Sequence, residues 1–374
     1  MGWDPQTPYD SLPLLPPPVD LESKKVLKSA IGARAALAAL DQAALNLPNP
    51  AVLLYAMPLL EAQASSEIEN IVTTADALFK FAQIDRDPGE SATKEALRYR
   101  SALFEGVGAI RMRPLTSGTA ELVCTRIKNR EMAIRRLAGT RIANPVTGEV
   151  IYSPPEGADL LREMLANWES FVHAADRLDP LVRMAVAHYQ FEAIHPFHDG
   201  NGRAGRIINI LMLIEAGLIA EPILYMSRFI NSHKNDYYRL LSDVTRDGAW
   251  EPWILYMLEA VRQTAESTAA KVAAIRSVQQ DIYDEARVAS HGGRNADFLA
   301  VLFEQPYTRI QIVINRCGVS RPTATSWLND LTNAGILTAR KFGRDRVFVN
   351  QRFLDILLRS ELEEPAPSGA TQVG

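Results

Sequence analysis

Cysteine is scarce: two in 374 residues, Cys124 and Cys317, far apart and outside any CxxC or Cys/His spacing. A disulfide framework and a cysteine-based zinc site are thereby excluded, and a reducing cytoplasm is the compartment that fits. An excess of one charge is also lacking, since 40 Lys+Arg stand against 44 Asp+Glu for a net charge of −4. The whole chain therefore exerts no strong pull on nucleic acid or an anionic bilayer. The most apolar stretch, 207–226, is broken by Glu215, Gly217 and Glu221. It offers no uncharged span of ~20 residues, and no membrane partner is expected. The opening MGWDPQTPYD has no basic patch followed by an apolar core, and Gln6 stands where a myristoylation signal wants Ser or Thr. What is plentiful is ordinary globular material, 47% hydrophobic with 22% charged. At ~100–200 residues per domain, the length points to two or three domains.

Six prolines in residues 1–20 make that segment extended, lying over another surface. Helical spacing of apolar residues then runs from Ser23 to Leu45, and a second helix is expected from Ala51 to about Glu69, ended by Asn70. Thr73-Thr74 is the cap of a third helix, and Glu95 to Ile110 continues the pattern. Two alternating runs, 140–143 and 149–152, flank the turn-forming Asn144-Pro-Val-Thr-Gly148 and predict a β-hairpin. Helices resume at 158–174, 180–194, 202–216, 236–245 and 250–289, with His291-Gly-Gly293 as a hinge. Beyond it, 296–304, 309–316 and 320–333 read as three helices, and 336–341 and 346–350 as two strands, the pattern of a winged helix. Residues 361–374 read as a disordered tail.

One segment carries chemistry: His195-Pro-Phe-His-Asp199-Gly-Asn-Gly-Arg203-Ala-Gly-Arg206, at the junction of two helices. Gly200 and Gly202 permit left-handed backbone angles, so the N–H groups of Gly200, Asn201 and Gly202 can converge on an anion, where the next helix adds its dipole. Arg203 and Arg206, one turn into that helix, extend the cradle from one phosphate to a polyphosphate. Asp199 offers a hard oxygen for Mg²⁺ bridging such phosphates, and His195 can accept a proton near neutral pH. Phe197 is an apolar plug for the loop. Taken singly, a His before Pro is usually a loop residue and a Gly-Asn-Gly usually a turn; the combination is what points to function. His188, Tyr189, Phe191 and Glu192 are most simply packing or helix-face residues, and Tyr237 and Tyr238 read equally well as core.

This run resembles the signature of the Fic family, HxFx(D/E)GNGRxxR, and matches it at every specified position. Its His, Phe, acid and Gly-Asn-Gly-Arg would arise by chance in on the order of one in a few million chains. The resemblance extends to the hairpin, a flap that docks the target segment, and to Asp236-Tyr-Tyr238 beside the nucleotide, although Thr245 stands where some relatives carry Asn. It implies a mainly α fold: an N-terminal helical region (21–110), a Fic-type helical core with hairpin flap (111–290) and a C-terminal winged helix (294–360). It implies transfer of AMP from ATP, with Mg²⁺, to a Ser, Thr or Tyr hydroxyl of a protein, the chain itself included, and leaves a homodimer open. His195 is then the base, Asp199 the metal ligand, Gly200, Asn201, Gly202, Arg203, Ala204, Gly205 and Arg206 the nucleotide cradle, and Tyr238 an adenine contact. Ser65 and Glu69, four apart on one helix face and followed by Asn70, resemble the family's inhibitory motif (S/T)xxxE(G/N), whose Glu reaches Arg206. By composition alone that short pattern occurs in about one chain in three; its place before the Fic-like run gives it meaning. Relatives carry this Glu where it also serves removal of AMP.

Between Arg294 and Asn350 eight basic residues outnumber four acidic ones, net +4, and Arg340, Lys341, Arg344 and Arg346 lie on the wing. Ser320-Arg-Pro-Thr-Ala-Thr-Ser opens the recognition helix. DNA and protein both remain open as partners of this module. The alternative reading of the chain is a winged-helix DNA-binding regulator whose Fic-like core senses nucleotide.

Overall fold

The computed structural model describes residues 3–47, 49, 51–82, 91–143, 147–342 and 345–359. The expected turn at 144–146, Arg344 on the wing and the expected tail at 361–374 lie outside the described residues. Two compact units divide at Ala269/Ala270. The sequence reading put the boundary at 290–294; the structure groups the C-terminal half of the long helix 250–289 with the second unit.

The first unit contains α1 (Lys24–Leu45), α2 (Ala51–Tyr55), α3 (Met57–Ile68), α4 (Ala75–Phe81), α5 (Ser91–Met112) and α6 (Ser117–Lys128). After them come the strands β1 (Ile142–Ala143) and β2 (Val150–Tyr152), then α7 (Ala158–Val172), α8 (Pro180–Ile194), α9 (Asn201–Glu215), α10 (Ser227–Ser232), α11 (Lys234–Asp247) and the start of α12 (Trp250–Ala289). The expected single helix over 51–69 is two, α2 and α3. Pro58 lacks the N–H that an unbroken helix needs and its ring clashes with the preceding turn, so it sits in the first turn of α3 instead. Thr74 caps α4 as expected, accepting from the Ala77 N–H at 3.1 Å.

At the centre lies α8, apolar nearly all round and buried from Leu181 to Gln190 without a break. Asp179 starts it by accepting from the Leu181 N–H at 2.8 Å, and Pro180 occupies the first turn, where its missing N–H costs nothing. Two indoles tie neighbouring helices to it. Trp168 of α7 donates to the Ala187 carbonyl at 2.9 Å and Trp253 of α12 to the Ala185 carbonyl at 2.8 Å, so both large rings are buried with their polar atom satisfied. Helix α9, buried over Asn201 and Arg203–Leu213, packs on α8, α6 and α5.

The Pro-rich segment is extended and lies over the hairpin and α7–α8. The Tyr9 N–H donates to Ser153 O at 3.0 Å, Ser153 Oγ donates to Pro5 O at 2.7 Å, Gln190 donates to Pro13 O at 2.9 Å, and Trp3 stacks on Tyr152 with centroids 6.4 Å apart. The hairpin is shorter than expected, pairing Ile142 with Tyr152 and Ala143 with Val150 across a register shift.

In the second unit, α12 continues into a 3₁₀ turn (His291–Arg294), followed by α13 (Ala296–Glu304), β3 (Tyr307–Arg309), α14 (Ile310–Cys317), α15 (Arg321–Asn333), β4 (Thr338–Phe342), β5 (Asp345–Val349) and α16 (Gln351–Leu358). The strands form one antiparallel sheet in the order β3-β5-β4. Gly292 and Gly293 are buried and not a hinge: a Cβ at 292 would meet the Trp327 ring at 2.6 Å, and one at 293 would overlap the Ala286 carbonyl. Among the described residues no helix is long and apolar enough to cross a membrane.

Candidate active site

Helix α8 stops where His195 adopts a left-handed conformation, φ 49°, and α9 begins after Gly200, also left-handed at φ 87°. Three devices hold the six-residue loop between them, residues 195–200. Asn201 clips the Phe197 peptide from both sides, accepting its N–H at 2.8 Å and donating to its carbonyl at 2.7 Å. Phe197 is buried against Phe191, with centroids 6.3 Å apart. Arg135, 1% exposed, donates through Nε to the His195 carbonyl at 2.9 Å and through Nη2 to the carbonyls of Ile194 (3.2 Å) and Pro155, while its own N–H donates to Pro196 O at 2.8 Å.

The loop opens onto a cavity of about 560 Å³ within the first unit. Gly202 and Arg206 of α9, Glu192 and Tyr189 of α8 and the His195 that ends α8 line it, Tyr237, Tyr238 and Thr245 of α11 face them, and Ile142 and Tyr152 of the hairpin close over it. The Tyr152 hydroxyl donates to the Ala193 carbonyl at 2.9 Å, which ties the hairpin to α8. Tyr238 is 43% exposed and meets Tyr237 edge-on at 5.2 Å. Tyr237 bonds His188 at 2.9 Å, and the His188 ring stacks on Trp253, so that histidine is a packed core residue as its helix position predicts.

Glu69 reaches this cavity from the end of α3. Its Oε1 accepts from Arg206 Nη2 at 2.9 Å, and Arg206 also donates to Ser65 Oγ at 2.8 Å and to Ser65 O at 2.9 Å. The oxygen lies 2.5 Å from where a Cβ on Gly202 would be, so only glycine admits the carboxylate against the first turn of α9. Burial works against the charge of Glu69, but Arg206 outweighs it and holds the carboxyl below the usual carboxylate range. Deeper along the same face of α3, Glu61 accepts from Tyr99 at 3.1 Å, from the Ser227 N–H at 3.2 Å and from the Ser227 hydroxyl. Burial raises Glu61 to about 7.

Asp199 and Arg203 form a second network, outside the cavity lining. Asp199 lies 2.6 Å from Lys128 Nζ and 3.7 Å from Arg203 Nη2, and both cations also pair with Glu95. Burial opposes the charge of Glu95, yet the donors from Arg203 and Lys128 hold its carboxyl low. Among the described residues no three metal-ligating side chains cluster. One half-exposed carboxylate beside a helix N-terminus still suits Mg²⁺ that arrives with phosphates, because this ion needs few protein ligands. Burial, and then the Arg135 charge, push His195 down to about 4, below the near-neutral value expected from sequence, so its imidazole is neutral at pH 7 and holds a proton less firmly than a free histidine.

The structure thus brings His195, Gly202, Arg206, Tyr238 and Glu69 to one cavity with Ser65 beside it. Gly200, Asn201, Ala204 and Gly205 shape the loop and the α8–α9 contact. Lys128, Glu95 and Arg135 were not foreseen: each is a single charged residue on a distant segment with no spacing signal.

A helical bundle with a hairpin over a helix N-terminus, next to a buried histidine, is the architecture of an enzyme core able to seat an anion beside that ring. Sequence models agree on which one: those of the Fic/DOC family N-terminal domain, the Fic/DOC family, and the "Protein adenylyltransferase SoFic-like, C-terminal domain" match residues 27–108, 95–213 and 273–353. The chain belongs to the Fic family. It is 28% identical over 114 residues to the protein adenylyltransferase Fic of Culex quinquefasciatus, a match covering 30% of this chain and 21% of that protein. The chain thus spans about a fifth of the length of such curated relatives. In fold it is similar to a Fic family protein from Desulfovibrio desulfuricans (TM-score 0.54, 20% identity, 89% of this chain and 98% of that one). It is also similar to a Fic domain containing signaling protein from Bacteroides thetaiotaomicron (TM-score 0.51, 18% identity, 64% and 96%).

Proposed function

We propose that the protein is an ATP-dependent protein adenylyltransferase held inactive by Glu69. The observation that carries this reading is the cavity itself, where a neutral His195 stands beside the free N–H groups of the α9 first turn and a buried Arg206, all under a hairpin edge. His195 takes the proton of the target's Ser, Thr or Tyr hydroxyl. The freed oxygen attacks the α-phosphorus, the bond to the β-phosphate oxygen breaks, and pyrophosphate leaves. The α9 amides stabilise charge on the phosphoryl oxygens, and Arg206 grips an outer phosphate once Glu69 releases it. Asn201 and Arg135 keep His195 and the glycines in register. Asp199 would hold Mg²⁺, which neutralises phosphate charge when bound; Lys128 and Arg203 set the position of its carboxylate.

The hairpin edge docks the target backbone, and Tyr238 covers the adenine. A segment of the same chain qualifies as target, and Glu69 beside the α-phosphate would also align water for removal of AMP. The free cysteines fit a cytoplasmic setting. The experiment is incubation with Mg²⁺ and ATP followed by mass spectrometry. An AMP adduct in the wild-type or Glu69→Gly protein, or in its target, is expected; none in either returns the chain to the nucleotide-sensing alternative.

A further inference from the structure

Tyr189 and Glu192 of α8 and His195, the residue that ends it, are spaced three residues apart and all line the cavity. His195 and Tyr189 have roles there, the second by bonding the Thr245 hydroxyl at 2.9 Å. Glu192 has none so far. Its Oε1 is shielded from solvent and makes no hydrogen bond, while the other acids around the site, Glu69, Glu95 and Asp199, are all ion-paired. Arg206 is close enough to feel its charge, yet the bonds it makes through Nε and Nη2 go to Ser65 and Glu69. An unpaired carboxyl in a cleft is costly unless a ligand completes it.

The fold makes deliberate room for this group. A Cβ on Gly205 would overlap Glu192 Oε1 and press on the His188 and Phe191 rings at 3.3 Å, so glycine at 205 is what lets the carboxyl lie there. Burial lifts Glu192 to about 7, so near neutral pH it offers an O–H donor and a carbonyl acceptor together. Oε1 is packed against Gly205, so a ligand in the cavity meets the carboxyl at its other oxygen, which as a neutral O–H can donate to one hydroxyl and accept from its neighbour. Along α8 the carboxyl stands one turn from His195 at the anion end and one turn from Tyr189 at the Thr245 end, where a nucleotide's sugar falls between phosphate and base.

We infer that Glu192 is a specificity-determining residue that reads the ribose 2′,3′-diol of the bound nucleotide, with Gly205 as the notch that seats it. This rests on the nucleotide reading above. The test is calorimetric titration of the full chain carrying Glu69→Gly with Mg²⁺ and ATP, 2′-deoxy-ATP or 3′-deoxy-ATP, repeated with Glu192→Ala or Glu192→Gln added. ATP should bind ~10-fold tighter than either deoxy analogue, the value of one or two hydrogen bonds. Glu192→Ala should bring the three ligands within about twofold of one another, and Glu192→Gln, which keeps a donor and an acceptor, should restore most of the preference. A preference that survives Glu192→Ala, or a Glu69→Gly protein that binds all three alike, overturns the inference and leaves the nucleotide reading standing. A Glu69→Gly protein that binds none of them overturns both.

Discussion

Replacing Glu69 with glycine removes a carboxylate that is 2.9 Å from Arg206 and sits over the first turn of α9. A phosphate oxygen placed ~4 Å from that carboxylate meets a repulsion of ~4 kcal/mol at an effective dielectric constant of 20. Because the Glu69 side chain is 34% exposed, about half of that is a fair share after solvent screening, or ~2 kcal/mol. The remainder is geometric: a triphosphate pushed ~1 Å out of line loses ~10²-fold in rate. Glu69→Gly should therefore raise AMP incorporation by ~10²-fold or more, while ATP affinity improves only ~30-fold. Stability moves the other way. Arg206 loses one charge-assisted bond and keeps two to Ser65, a cost of ~1–2 kcal/mol that lowers the melting temperature by a few degrees. The assay compares wild type, Glu69→Gly and Glu69→Gly/His195→Ala with ATP labelled at the α-phosphate. If Glu69→Gly labels no more strongly than wild type, the Ser65–Glu69–Arg206 cluster is only a structural ion pair.

Other expectations follow from the same geometry. His195→Ala in the Glu69→Gly background should lower transfer ~10²–10⁴-fold with ATP binding within a few-fold of the parent, and unimpaired transfer would remove His195 from the base role. Arg135→Met should cut kcat ~10-fold at nearly constant KM for ATP, because it frees the His195 carbonyl without touching the cradle; unchanged kinetics would mean the Asn201 clip alone suffices. Glu61, raised to about 7 from an ordinary 4.5, is still protonated in the folded chain where the unfolded chain has already ionised. Its favourable contribution is full below 4.5 and declines as pH rises toward 7. Relative to Glu61→Gln, the wild type should thus lose ~1.4 kcal/mol per pH unit across that window and nothing more above it, read from melting curves. A gap that does not vary with pH would refute this.

Helix α8 was legible to the residue, 180–194, because Asp179-Pro180 is a strong start signal, and α12 likewise at 250–289. The 195–206 loop was legible because its residue types are unusual and contiguous. Two kinds of feature were not. Short elements such as β3, Tyr307–Arg309, carry too few residues to show a period, and the joint at Ala56 between α2 and α3 hung on Pro58 alone. The partners of the loop were invisible for another reason. Lys128, Glu95 and Arg135 gain meaning only from folding, which brings each of them onto loop residues 60 or more positions away.

Glu69 does not lie inside α3 but caps its C-terminus, with Asn70 turning left-handed at φ 60° immediately after it. Helix ends are the first parts of a fold to open, whereas Glu61 and Ser65 fasten the preceding two turns to α5, α10 and α9. Withdrawing the carboxylate from Arg206 thus asks for fraying of one terminal residue and leaves the helix standing. Being on the same chain, the proposed brake also acts at a local concentration that dilution does not change. Whatever releases it must pull on the segment 69–72 or compete for Arg206, and changing the amount of protein alone should leave it set.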